Sequence, residues 1–467
     1  MENLKTEIAV IGGGPGGYAA AFYAAARGKK VTLIEKEARL GGVCLNRGCI
    51  PSKALLHAAE AIRGAQEAEA FGIKFQAPTV DLAQLRAWKS GILEKLGTGV
   101  QNLAGRRGVE IITGNAAFQD SKNIKIAEKN LSFDHAIIAT GSVPAVPKAF
   151  QLNSSLVMTS TEALEIELIP KRLLVIGGGY IGMELGMVYA AMGSKVVVVE
   201  MLGSILAGAD ADIVRYVESV AKNRFENIHL NSKVSAITVE GNSIKAVIEA
   251  QGKSSEEGFD RVLVATGRIP CANGIGLERT SVKIDEKGFI KTNDRKQTDE
   301  PAIFAIGDVI GGVMLAHKAS SDAKIAVDKI CGSEPEGAEP VIPAVVFTDP
   351  EVAWCGLTEN DASVKNIPIQ VVKFPWAASG RAATIGRTDG VTKLLIDPAT
   401  ERILGAGICG KGAGELIGEA VVAIEKGVTA HELGKIVHPH PTLSETLMEC
   451  AEMFYGRATY AYSRKRN

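Results

Sequence analysis

Ile8-Ala9-Val10-Ile11-Gly12-Gly13-Gly14-Pro15-Gly16-Gly17-Tyr18-Ala19-Ala20-Ala21 decides the fold. An apolar run reads as a buried strand and leads into G-x-G-x-x-G at Gly12, Gly14 and Gly17, then into an alanine-rich helix. The first glycine makes the tight turn and the second lets backbone approach a pyrophosphate. The third lets the helix pack on the strand, and the helix N-terminus faces the phosphates. A further strand, Val31-Thr32-Leu33-Ile34, ends at Glu35, close to the offset of about 20 residues at which an acid holds a ribose hydroxyl. Strand, turn, helix and acid together predict a Rossmann-like α/β unit that binds a dinucleotide.

The arrangement recurs in Leu173-Leu174-Val175-Ile176-Gly177-Gly178-Gly179-Tyr180-Ile181-Gly182, with Gly177, Gly179 and Gly182 in the three glycine places. The next strand, Lys195–Val199, ends at Glu200. An acid there accepts a free 2′-hydroxyl and repels a 2′-phosphate, and Met201-Leu202-Gly203-Ser204 supplies no arginine to hold one. NAD is therefore favoured over NADP. Two dinucleotide sites need a job for both, which a diffusing nicotinamide and a resident flavin satisfy by passing hydride. The bland alternative is one working site beside a vestigial repeat; the intact acid in each weighs against it.

Between the two lies Gly41-Gly42-Val43-Cys44-Leu45-Asn46-Arg47-Gly48-Cys49-Ile50-Pro51-Ser52-Lys53. A disulfide joining Cys44 and Cys49 closes a tiny loop and removes little unfolded-state entropy, so it is a poor staple. A helix N-terminus stabilises a thiolate, the species that exchanges with disulfides. The context favours a working dithiol over a zinc half-site or two incidental buried thiols. No second cysteine pair or H-x3-H follows at ligand spacing, so no metal is expected. Cys271, Cys331, Cys355, Cys409 and Cys450 are scattered and read as ordinary residues.

At 467 residues the length predicts about three domains. A net charge of −1 gives no footprint for nucleic acid or a membrane surface. Seven cysteines in so long a chain are no secreted disulfide framework. No signal peptide or membrane span is apparent, and a cytoplasmic protein is expected. Helices are predicted over Lys53 to Gly72, Leu82 to Arg107 and His317 to Ile330, with short strands and a turn between 109 and 136. Ile137-Ile138-Ala139-Thr140-Gly141 and its near copy Val262-Leu263-Val264-Ala265-Thr266-Gly267-Arg268 each close a segment, which marks a duplication at domain scale. Ala302-Ile303-Phe304-Ala305-Ile306-Gly307-Asp308 reads as another strand, whose acid can accept bonds from ribityl or ribose hydroxyls. Composition shifts near Pro335 to Pro343, and a mixed α/β domain follows from Val345. It holds His438-Pro439-His440-Pro441-Thr442-Leu443-Ser444-Glu445, where a histidine and a carboxylate can form an oriented, more basic imidazole. A structural role for either histidine stands beside that reading, because most of the chain separates them from the cysteines.

Taken together, Gly41–Lys53, Ala305-Ile306-Gly307-Asp308 with Leu315-Ala316-His317-Lys318-Ala319, Phe374-Pro375-Trp376-Ala377-Ala378-Ser379-Gly380-Arg381-Ala382 and His438–Glu445 resemble the pyridine nucleotide–disulfide oxidoreductases. Within them the likeness is to the branch that oxidises dihydrolipoamide, and it covers essentially the whole chain. It implies two Rossmann-like domains, an FAD domain (1–145 with 271–340) and an NAD domain (146–270), followed by an α+β dimerisation domain (341–467). Cys44 would be the interchange thiol and Cys49 the thiol against the flavin. His440 would be the base with Glu445 as its partner, reaching the cysteines of the other subunit of a homodimer. Lys53 would lie near the flavin N5, with Glu184 meeting it beside the nicotinamide. Gly12, Gly14, Gly17, Glu35, Gly141 and Asp308 would hold FAD, and Gly177, Gly179, Gly182, Glu200 and Gly267 the NAD. The lipoyl group would come from a subunit of a 2-oxo acid dehydrogenase or glycine-cleavage complex.

The chain departs from the family pattern at Arg47, where many relatives carry a small apolar residue, and at Ala319-Ser320-Ser321-Asp322. A cation at Arg47 lowers a thiol pKa if it points inward and does nothing if it is solvated. Within the same fold, Glu200 argues against NADPH-linked glutathione-type reductases. The thiol-free end Ser463-Arg464-Lys465-Arg466-Asn467 argues against mercuric reductases. A non-catalytic FAD/NAD redox sensor, the rival from another class, would need neither His440 nor Glu445.

Overall fold

The computed structural model describes residues 2–333 and 340–462. Most of the expected boundary at Pro335–Pro343, and all of Ser463–Asn467, lie outside those residues. Val10, Leu33, Val196 and Val198 are fully or almost fully buried, as strands covered on both faces require. The first sheet runs Glu110–Thr113, Val31–Glu35, Glu2–Ile11, Lys129–Ile138 in parallel. Strand Ile303–Ala305 returns to pair in parallel with the far end of Lys129–Ile138, while Asn123–Ile126 and Ala116–Asp120 extend its near end antiparallel. The second sheet runs Asn227–His229, Lys195–Val199, Arg172–Ile176, Arg261–Val264, Val157–Met158, all parallel.

The two sheets start their motifs in the same way. Ile11 pairs with both Ile34 and Ile138, and Ile176 with both Val199 and Val264, so each glycine turn leaves at the carboxyl ends of level strands. This is where α/β sheets bind ligands. Helix Pro15–Ala26 starts on a proline, whose fixed φ suits the first helical position. Helix Leu82–Arg106 is capped by the Asp81 side chain, which accepts from the N–H groups of Ala83 and Gln84. Ser142–Pro144 and Arg268–Pro270 pair antiparallel and bridge the two units.

The strands expected to run on to Gly141 and Gly267 end sooner, at Ile138 and Val264. Both glycines have positive φ (72° and 135°), which turns the chain out of the sheet. The strand expected over Ala302–Asp308 is likewise short, and Gly307–Ile310 is a 3-10 turn. Helices at Cys49–Glu67, Leu82–Arg106 and Ala316–Ile330 lie where the periodicity placed them. From Ala344 a five-stranded antiparallel sheet forms, in the order Ala344–Val346, Glu351–Gly356, Ile403–Gly410, Val391–Ile396, Gln370–Pro375. Helices Ala413–Glu425 and Glu445–Met453 pack on it through a core that includes Trp376, Leu394, Ile408, Ile417 and Leu447. Among the described residues no helix is long and apolar enough to cross a membrane.

Candidate active site

A cavity of about 440 Å³ opens along the carboxyl end of the first sheet and reaches the second, a size that suits a cofactor. Gly12, Gly14, Glu35, Cys44, Cys49, Lys53, Gly141, Glu184 and Asp308 all line it. Gly17 does not; it is a packing residue. A methyl on Gly17 would stand 1.7 Å from the carbonyl oxygen of Gly12, and one on Gly12 (φ 104°) 2.4 Å from that of Ala139. Gly182 and Gly177 repeat both relations in the second unit, at 2.0 Å from Gly177 O and 2.4 Å from Ala265 O. No side chain caps the helix at Gly14, which leaves its first N–H groups free for an anion on the cavity wall. The residues therefore fit the pyrophosphate of an FAD. Gly17→Ala is expected to push the helix off its strand, so that purified protein loses its flavin absorbance; wild-type flavin content in that variant would refute the cradle.

Each motif acid is tied to its own glycine turn. Glu35 accepts from the N–H of Gly13 at 2.6 Å and of Glu37 at 3.0 Å. Glu200 accepts from Gly178 at 2.6 Å and Leu202 at 2.8 Å. Carboxylates keep further lone pairs after two such bonds, so ribose hydroxyls can still be met. Asp308 accepts from the Ser142 hydroxyl at 2.5 Å, and that hydroxyl accepts from Arg268 Nε at 2.7 Å. The Gly307 N–H donates to buried Asp322, which Lys318 and Lys296 neutralise at 2.7 and 3.3 Å. Ser142, Arg268 and Asp322 escaped the sequence reading. Arg268 directly follows Gly267 in the repeated segment and carried a usable signal; Asp322 carried none beyond its departure from the family pattern.

Cys44 lies in helix Gly42–Arg47 and Cys49 opens helix Cys49–Glu67. Both are thiols here, Cys49 the more exposed. The Cys44 thiol donates to Cys49, and with the Lys53 charge it brings the Cys49 pKa down to about 7 against the cost of burial. The same hydrogen bond, with burial, pushes the Cys44 thiol up. The pair thus holds one thiolate and one thiol near neutrality. Arg47 also lines the cavity, where it pairs with Glu37 at 3.1 Å, both half-exposed. Lys53 Nζ donates to both oxygens of buried Glu184, at 3.0 and 2.8 Å, across the boundary between the two nucleotide units.

Gly177, Gly179, Gly182, Glu200 and Gly267 stand outside the cavity wall, on the second unit; Tyr180, Ile181 and Glu184 of the adjoining helix reach it. His440 and Glu445 are absent from that wall as well. His440 Nδ1 meets Glu445 Oε1 at 2.8 Å, and the other Glu445 oxygen accepts from the Thr442 N–H at 2.7 Å. The imidazole is 61% exposed while its carboxylate is only 13% exposed, so the ring is anchored from behind with its far nitrogen facing out. His438 differs: it is buried between Glu419 (2.6 Å) and the Ile436 carbonyl (2.9 Å). Of the two histidines, only His440 presents a nitrogen to an incoming group.

Residues 6–323 match the family model described as pyridine nucleotide-disulphide oxidoreductase, and residues 342–451 match the dimerisation domain of the same family. Two similar curated proteins are named dihydrolipoyl dehydrogenase. The one from Buchnera aphidicola is 42% identical over 98% of this chain and 97% of its own. The one from Thermus scotoductus is 42% identical over 99% of this chain and all of its own. Among solved structures, the Cu(II) complex of the HOCl-induced flavoprotein disulfide reductase RclA from Escherichia coli superimposes with a TM-score of 0.85 at 28% identity, covering 96% of this chain and 99% of that one. The family model covers most of a chain with paired glycine turns and a dithiol between them, the relatives match along the full length, and the chain belongs to the pyridine nucleotide-disulphide oxidoreductase family.

Proposed function

We propose that the chain is a dihydrolipoyl dehydrogenase, which oxidises protein-bound dihydrolipoamide and reduces NAD. The observation that carries the reading is the shared cavity: the phosphate cradle, the Cys44–Cys49 pair and the Lys53–Glu184 bridge line one space. A bound FAD would carry the electron pair from the dithiol to the nicotinamide. The residues do the rest. In the oxidised pair, a substrate thiol gives its proton to His440, and the resulting thiolate attacks Cys44. Cys49 leaves as a thiolate, which the Cys44 thiol and Lys53 favour once the pair is reduced; low leaving-group pKa speeds exchange. The second substrate thiol then attacks the substrate sulfur of the mixed disulfide and closes the lipoamide ring. Cys44 departs and takes the proton from His440, in keeping with its raised pKa. One proton stays on Cys44 and the other goes to solvent.

Because His440 and Glu445 stand apart from the dithiol cavity of their own chain, the reading needs a homodimer in which each subunit's imidazole serves its partner's cysteines. The dimerisation-domain match supports this. The same reading divides the chain into an FAD domain (1–145 with 271–340), an NAD domain (146–270) and the interface domain (341–467). It makes a lipoyl-bearing subunit of a 2-oxo acid dehydrogenase or glycine-cleavage complex the working partner, in the cytoplasm.

The test is NAD reduction by dihydrolipoamide with purified protein, with NADP as a second acceptor. Turnover with NAD at least tenfold above that with NADP is expected. No turnover, with the flavin still reducible by NADH, would assign the dithiol to another disulfide.

A further inference from the structure

The Lys53–Glu184 bridge has a third member from a distant part of the chain. Phe347 follows edge strand Ala344–Val346 of the C-terminal sheet. Its backbone N–H donates to Glu184 Oε1 at 2.9 Å, and its ring lies under the Lys53 ammonium, 4.4 Å from Nζ to the centroid. Lys53 stands four residues after Cys49 on one helix, so both side chains share a face. Each unit of the chain thus supplies one part: the first nucleotide unit the lysine, the second the carboxylate, the C-terminal sheet the aromatic ring. A cation over a ring face is held by the ring's quadrupole, most strongly where water is scarce. Glu184 is almost fully buried and Lys53 about one-third exposed, so the ammonium sits at such a margin.

We propose that Phe347 is a positioning residue for the dithiol: ring and N–H together hold the Lys53 ammonium over Glu184, where its charge acts on the Cys49 sulfur. The proposal rests on the lipoamide dehydrogenase reading only for its effect on turnover. A purely structural role competes with it, since Phe347 also packs against the core that contains Leu55, Met183 and Val346. The two roles differ in what the ring must be. Packing needs an apolar side chain of similar bulk; the proposal needs a π face. Cys44, Lys53, Glu184, Tyr18 and Tyr180 act on Cys49, and Arg47 shares its cavity wall; of these, Phe347 touches Lys53 and Glu184, which are the route by which a change there reaches Cys49.

The experiment follows iodoacetamide alkylation of Cys49 against pH in the reduced, FAD-loaded protein. Arg47 lies between the cysteines, so trypsin puts Cys44 and Cys49 on separate peptides for mass spectrometry. The wild-type midpoint is expected near 7. Phe347→Leu should raise it by about half a pH unit, the size expected from one exposed cation–π contact, and Phe347→Tyr should restore it. In a Lys53→Met background, where the midpoint is already raised, Phe347→Leu should add nothing. Fluorinated phenylalanines at 347 keep the shape and weaken the π face, so the midpoint should climb with fluorine content even if Phe347→Leu does not fold. An unmoved midpoint across the fluorinated series, or an equal shift with and without Lys53, would overturn the proposal. Dihydrolipoamide turnover is measured alongside: its absence in every protein would count against the lipoamide reading, while the alkylation midpoints still decide the role of Phe347.

Discussion

Cys44→Ser lowers dihydrolipoamide-dependent NAD reduction by about 10⁴-fold or more, the usual cost of deleting a covalent nucleophile that works as one unit with its neighbours. The expectation is sharp because little else should change. Serine is nearly isosteric, and its hydroxyl can still donate to Cys49 as the Cys44 thiol does. The cradle at Gly12 and Gly14 and the Lys53–Glu184 bridge are untouched, so flavin content and reduction of the flavin by NADH should stay near wild type. Steady-state rates with dihydrolipoamide, set beside flavin content, check this. A variant that keeps a tenth of its activity would show that Cys44 does not form the mixed disulfide and that the more exposed Cys49 meets the substrate.

His440→Gln should lower the same reaction by about 10²- to 10⁴-fold, the range that a positioned base supplies. The size should depend on pH in a definite direction. If the imidazole takes the proton of the substrate thiol, then raising the pH ionises that thiol without help, and the defect should shrink as pH rises. Glu445→Gln should fall between wild type and His440→Gln, because the amide still reaches His440 Nδ1 but loses the charge that stabilises an imidazolium. Retained activity in His440→Gln would remove the base assignment. A defect that is constant with pH would mean that the histidine only shapes the interface. Mixing His440→Gln and Cys44→Ser subunits adds a geometric check, since a heterodimer should regain one active site in which intact residues from each chain face one another.

What could be read from the sequence was whatever is local. A glycine turn, the apolar run before it and the acid after it fall within about 30 residues, and each has a backbone reason to be there. The elements around Gly12 and Gly177 accordingly lie where the spacing places them. The dithiol was legible for the same reason, since Cys44 and Cys49 lie five residues apart on two adjoining helices. What stayed hidden is made by segments far apart. Asp322 braces Gly307 through a helix that had been read only as a helix, and Phe347 reaches Glu184 from another sheet. Neither contact leaves a period or a spacing in the chain. Arg47 can be solvated or turned towards the thiols by its sequence, and in the fold it is half-exposed and paired with Glu37, a partner no spacing in the chain announces. The histidine pair sat between these cases: the bond from His440 to Glu445 is local and foreseeable, whereas the burial of His438 against Glu419 is not.

The late return of strand Ile303–Ala305 to the first sheet sets an order of assembly. The five strands of the second sheet are contained between Val157 and Val264. The first unit starts earlier but finishes later. Its strand Lys129–Ile138 waits for Ile303–Ala305, and the last residues to line its cavity, from Asp308 to Ala319, follow directly behind. A growing chain therefore cannot enclose its flavin before the last of these residues has emerged. Flavin capture then serves as a signal that the chain has been built past residue 319.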